Sequence, residues 1–295
     1  MTHIGKTALA IMLAIMAVLP AKSQIAYRIE GNGLKEPAVI FGTHHLAPLS
    51  VIDSVAGARK AFDEASRIVG EIDMTQGPMQ IQMAMQQHIA APADSTLHDL
   101  LPAEKWNALN ESFKSLAPMP GMDLELLNGM KPMAVTTIVA LGIVSKEMPD
   151  YNPAEQLDSY FQTEGAKAGK KIIGLETVDE QATLLYDFTP VAEQAEALVK
   201  VLENPSEEIK SAREMNEAYA AQELERLAAL SEAQSANAAF MKALVNDRNA
   251  AWAEKLPAIM AEGPVFVAVG ALHLPGDNGL LKMLENKGYK VTPLK

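Results

Sequence analysis

Apolar and polar positions along the chain fall into two kinds of pattern. Short unbroken apolar runs, each closed by glycine or a polar turn, read as buried strands. They are "PAVIFGTHH" (37–45), "SRIVGEID" (66–73), "KKIIGLET" (170–177) and "PVFVAVGALH" (264–273), with "GYKVTPL" (288–294) closing the chain. A further strand in "QIAYRIEGNG" (24–33) is expected to pair with 37–42 through a turn at Gly31-Asn32-Gly33. Longer stretches carry helix signals: 51–65, 102–117 opened by Pro102, 122–144 interrupted around Gly129 to Pro132, 153–169, and 278–288 closed by Gly288. From Pro190 to Glu262 the chain is rich in Ala, Glu and Leu and breaks at Asn204-Pro205, which predicts two or three long helices.

Strands alternating with helices indicate an α/β fold with a mixed, partly parallel central sheet and flanking helices. The helical stretches at about 79–165 and 190–262 are too long for simple crossovers and predict a large helical cap beside or over the sheet. No linker rich in Pro, Gly or Ser divides the chain, so residues 24–295 read as a single domain carrying those two insertions. Low aromatic content and 16 Met fit helix packing by Leu, Ala and Met.

The first 23 residues change the picture. Lys6, an apolar stretch from Ala8 to Leu19, and small residues Ala21 and Ser23 before Gln24 form a signal-peptide layout. The apolar run is shorter than the ~20 residues a bilayer needs, so no stable membrane anchor is expected after cleavage. The chain is therefore expected to be exported, to the periplasm or beyond. Without residues 1–23, which carry Lys6 and Lys22 and no acid, the formal net charge falls from −12 to −14. Such a surface repels phosphate backbones, which excludes nucleic acid as an expected partner. With no Cys, an exported fold is held by core packing alone, and any metal site must use His and carboxylates.

Ligands of open α/β sheets bind at the carboxyl ends of the strands. Each of four strand candidates ends there in ionisable residues: His45 with His44, Glu71 with Asp73, Glu176 with Asp179, and His273 with Asp277. Gly42 and Gly270 each precede their His by three residues, so G-x-x-H-L occurs twice. Two imidazoles with one or two carboxylates are a ligand set for a catalytic divalent ion. The competing reading is that a single strand-end His packs or caps. Arg248, beside Asn249 in a stretch with Trp252 and Leu256, is a candidate for binding a substrate carboxylate or a developing oxyanion. His88 and His98 read as surface or helix-end residues, and the Met series near 74–85 as cap or core packing. No Cys nucleophile, G-x-S-x-G elbow, H-E-x-x-H helix or P-loop is present.

"FGTHHLAP", "VGEID", "GKKIIGLETVDEQ", "NDRNAAWAEKL" and "VFVAVGALHLPGDNGLLKMLENKGYKV", in this order and spacing, resemble the TraB/GumN/Tiki family along nearly the whole chain after residue 23. The resemblance implies a metal-dependent peptidase, as in the animal Tiki members, acting on a peptide or protein substrate with Mn or Co, or Zn. It also implies a fold similar to erythromycin esterase and the haem-binding ChaN proteins. The family histidines fall on His45 and His273, its acidic strand-end residue on Glu71, its G-L-E on Glu176 and its R-N pair on Arg248. His45, His273 and Glu71 are then the expected metal ligands, with Glu71, Glu176 and Arg248 the expected catalytic groups. The alternative is a cell-envelope protein that binds haem, another metal complex or a peptide without turnover. A third reading is a structural partner in an envelope assembly.

Overall fold

The computed structural model describes residues 24–148, 151–152, 155–234 and 237–295. The signal-peptide reading of residues 1–23 lies outside the described residues. Six strands form one mixed sheet: β1 (Ala26–Glu30), β2 (Ala38–Thr43), β3 (Arg67–Gly70), β4 (Lys171–Gly174), β5 (Val265–Gly270) and β6 (Lys290–Pro293). Each falls inside a run read from the sequence as a strand. Across the sheet the order is β4-β3-β5-β2-β1-β6. The first four lie parallel to one another, and β1 runs antiparallel to both β2 and β6. The β1–β2 turn stands where expected, with Gly31, Asn32 and Gly33 all at positive φ.

The helices in chain order are α1 (Val51–Ser54), α2 (Ala58–Glu64), α3 (Pro78–Ile89), α4 (Leu97–Leu100), α5 (Trp106–Leu116), α6 (Pro132–Glu147) and α7 (Leu157–Lys167). They continue with α8 (Val178–Tyr186), α9 (Val191–Glu203), α10 (Pro205–Ala220), α11 (Leu224–Gln234), α12 (Ala238–Met241), α13 (Arg248–Ala261) and α14 (Leu280–Asn286). Three expectations change in detail. The helix over 51–65 is split at Gly57, whose φ of 75° a regular helix does not accept. The helix over 122–144 starts only at Pro132. Before it, the Gly129 carbonyl and the Lys131 amide bond to Ala91 and Ile89, and Lys131, preceding Pro132, is extended. The stretch 190–262 holds more than three helices, because Gln222 at φ 59° ends α10 and a π-helical turn at Lys242–Asp247 joins α12 to α13.

Strand β2 is buried at every position, as an apolar run covered on both faces requires. Phe41 and Phe266 stack within the sheet and meet Phe161 of α7 and Phe62 of α2, respectively, edge-on. Trp252 and Leu256 of α13 and Tyr219 of α10 belong to the same core. A second apolar core joins Phe113 of α5, Val135 and Val139 of α6, and Leu198 and Leu202 of α9. The two insertions therefore meet in one helical cap with an interior of its own. Among the described residues, no helix is long and apolar enough to cross a membrane.

Candidate active site at the carboxyl edge of the sheet

The strand order decides which side chains meet. Past the carboxyl ends of β4, β3, β5 and β2 stand Glu176, Glu71, His273 and His45, a spatial row that the chain order hides. Thr43 pairs with Gly270 in the parallel ladder, so the two G-x-x-H segments leave neighbouring strands at the same level. Neither Gly42 nor Gly270 has a positive φ; both are needed for close approach. A Cβ on Gly42 would lie 2.8 Å from Leu274 Cδ1, and one on Gly270 would lie 3.1 Å from Glu71 Oε1. Without that Cβ, the Gly270 amide donates to Glu71 Oε1 at 2.8 Å.

Arg248 organises the row from α13. Its Nε donates to Glu176 Oε2 at 3.0 Å, and its Nη2 donates to Glu176 Oε1 and Glu71 Oε2, both at 2.6 Å. Its Nη1 donates to His273 Nε2 and to Leu244 O, both at 3.1 Å. All five guanidinium N–H groups are thus committed within the protein. Leu244 lies in the π-helical turn, a feature often found where a helix serves a functional site. The guanidinium also lies 4.5 Å over the Trp252 ring, and Arg248 is only 8% exposed. Gln181 of α8 donates to Glu71 Oε2 and Glu176 Oε1, both at 3.0 Å, and so ties the two carboxylates together. Burial alone would raise Glu71. The surrounding positive charge, of which Arg248 is permanent, and the Gly270 amide instead hold it at about 2.

His273 is 5% exposed and its tautomer follows from its partners. Arg248 can only donate, so His273 Nε2 accepts, and Nδ1 carries the proton to Asn249 Oδ1 at 2.7 Å. The Asn249 amide is itself oriented by donating to the His273 and Asn278 carbonyls. Burial, with Arg248 adding to it and Glu71 opposing, lowers His273 to about 4, so it is neutral at pH 7.

His45 is held differently. Its Nδ1 lies 2.8 Å from Asp158 Oδ2, while Asp158 Oδ1 accepts from Thr43 Oγ1 at 2.6 Å. The Asp158 carboxylate pushes His45 up to about 9. His45 and Glu71 line a common cavity of about 90 Å³. His44 faces another cavity, between α6 and α10, with its ring edge-on to Tyr219. Burial lowers His44 to about 4.

The structure therefore brings Glu71, Glu176, Arg248 and His273 into direct contact, with His45 across the cavity. The second ionisable residues of the strand ends go elsewhere: Asp73 caps the turn at Thr75, and Asp179 pairs with His88. His88 differs from its surface reading, because it bridges Asp179 and Asp187 and so fastens α3 to α8. Sequence reasoning passed over Gln181 and Asp158. Helix α8 had a local signal, the capping box of Thr177 and Glu180, which places Gln181 at the fourth helical position, directly after Glu180. Asp158 had none beyond being an acid in a helical first turn.

Two imidazoles and a carboxylate are the donor types of a divalent-ion site. His273 Nε2 and Glu71 Oε1 are 3.7 Å apart, near the ~3.4 Å between two ligands that each bind one tetrahedral ion at ~2.1 Å. Among the described residues, no group of three or more His, Asp or Glu stands in ligating arrangement, and Arg248 engages both carboxylates. The set fits an ion in kind, with Arg248 as the neighbour that shares its carboxylates. No curated protein and no solved structure matches the chain. The model of the TraB/PrgY/gumN family matches residues 25–293, and the chain belongs to that family.

Proposed function

We propose that the protein is an exported metal-dependent hydrolase that cleaves a peptide substrate at the carboxyl edge of its sheet. The observation that carries this reading is the row Glu176, Glu71, His273, His45, built by four neighbouring strands and fixed from α7, α8 and α13. In the proposal His45, His273 and Glu71 hold a Mn or Co ion, or Zn. When bound, such an ion acidifies water and polarises a carbonyl. The chain's own groups prepare the place. Asn249 keeps the proton of His273 on Nδ1 and its lone pair on Nε2, which an ion takes only by displacing the Arg248 Nη1 hydrogen bond. Arg248 and Gln181 fix Glu71 and keep it ionised, and Glu176 is the second carboxylate. Because every Arg248 donor is engaged, binding a substrate oxygen there requires giving up one of those bonds. Arg248 thus acts first as organiser.

The cavity beside His45, about 90 Å³, is well below the roughly 300–1,000 Å³ of sites that enclose a whole small molecule. It admits the reacting group of a chain lying outside it. This supports an extended peptide over an enclosed porphyrin. The test is equilibrium titration of the purified protein with Mn, Co and Zn, together with a broad peptide library assayed with each metal. Binding is expected to be lost in the His45→Ala/His273→Ala double variant. Unchanged metal content in that variant would refute the site. Export is checked by secretion of the full chain and sequencing of its new N-terminus, expected at Gln24.

A further inference from the structure

We propose that Asp158, itself anchored by Thr43, is a positioning residue that commits His45 to the Nδ1–H tautomer and presents Nε2 to the cavity beside Glu71. The proposal deepens the functional reading above and rests on it for the use of that nitrogen. An ionised carboxylate only accepts hydrogen bonds, so Thr43 Oγ1 and His45 Nδ1 must both donate to Asp158. Asp158 is 6% exposed and lies in the first turn of α7, where the helix terminus favours a negative charge. Thr43 is 1% exposed, is the last residue of β2 and is paired with Gly270. The carboxylate is therefore bolted to the sheet two residues before the imidazole it orients.

The His45 side chain is 61% exposed, whereas the whole His273 residue is 5% exposed and its ring packs against Trp252. Packing cannot fix a ring that open. Among the described residues, Asp158 is the one hydrogen-bond partner of the His45 ring. A carboxylate that holds the far nitrogen of an imidazole fixes which nitrogen offers its lone pair, whether that nitrogen binds an ion or takes a proton. A merely structural Asp158 would need Thr43 alone to fasten α7 to β2, and the direction of the His45 ring would then be immaterial.

The experiment labels the histidines with ¹⁵N and reads two-bond ¹H–¹⁵N spectra above the ring's titration near 9. The His45 signals are assigned by their loss in His45→Gln. Wild type is expected to show the Nδ1–H tautomer. In Asp158→Asn the Thr43 hydroxyl keeps the amide oxygen, the amide nitrogen turns to His45, and the ring is expected to switch to Nε2–H. Mn affinity, measured with the metal alone under nitrogen in the same alkaline range, where the His45 ring is deprotonated in both proteins, should fall roughly 10- to 100-fold. If Asp158→Asn does not fold, Thr43→Val frees the same carboxylate and should give a mixture of tautomers. An Nε2–H ring in wild type, or tautomers that ignore both substitutions, overturns the proposal. If the tautomer switches but wild type binds no metal, the positioning role stands and the metal reading falls. If metal binds and the tautomer does not respond, the positioning role alone falls.

Discussion

The two G-x-x-H-L segments look alike in sequence, yet the fold makes opposite environments of them. At the His273 corner everything is closed: Asn249 is fully buried, Arg248 nearly so, and the imidazole is neutral because burial disfavours its charge. At the His45 corner the ring is open to the cavity and a carboxylate favours its charge. In each case an oxygen from a helix holds Nδ1, an amide in one and a carboxylate in the other. The difference teaches that a repeated motif fixes where an imidazole stands, while a partner remote in sequence fixes what it does.

The most severe test of this contrast is Arg248→Met. It strands Glu71 and Glu176 without their cation, and breaking a buried ion pair costs about 3–5 kcal/mol. Urea unfolding should register that loss, and a loss under about 1 kcal/mol would mean the closed corner is not held this way. Next comes acid. His273 protonates near 6.5 when unfolded but only near 4 when folded, so stability is complete above 6.5 and is lost as pH falls through 4. The effect is on the order of 3 kcal/mol, with His44 adding in the same direction. His273→Gln should flatten this acid limb in chemical unfolding at stepped pH. Third, Gly42→Ala drives a Cβ into Leu274 and Ala271, an overpacking worth about 1–3 kcal/mol by thermal unfolding. The smallest effect belongs to the open corner. His45 is raised to about 9, so its contribution is full below 6.5 and vanishes as pH rises through 9. Because the ring is 61% exposed, solvent keeps this alkaline limb under about 1 kcal/mol, and Asp158→Asn should remove it. An alkaline limb steeper than the acid one would invert the comparison.

Much of this was legible before the fold was known. The strands could be read because each is a short apolar run with a hard stop, and strand ends in such sheets face one edge. That logic alone brought out His45, Glu71, Glu176 and His273. Their lateral order could not be read, since nothing local says that β5 lies between β3 and β2. Asp158 was hidden for a related reason: its meaning comes from Thr43 and His45, more than a hundred residues away. The stretch before Pro132 misled because its apolar residues suit a helix while its backbone pairs with the remote segment at Ile89 and Ala91.

The place of β5 also bears on how the molecule is made. One of the sheet's two middle strands, residues 265–270, is synthesised after β1 to β4. Until it inserts, β2 and β3 each present an unpaired edge of mostly apolar sequence, the kind of surface that invites aggregation. His273 arrives with that strand, so nascent or prematurely terminated chains hold His45 and Glu71 without the residue between them. The same insertion that joins β2 to β3 brings the last member of the row, so the row is complete only once the two halves of the sheet are joined.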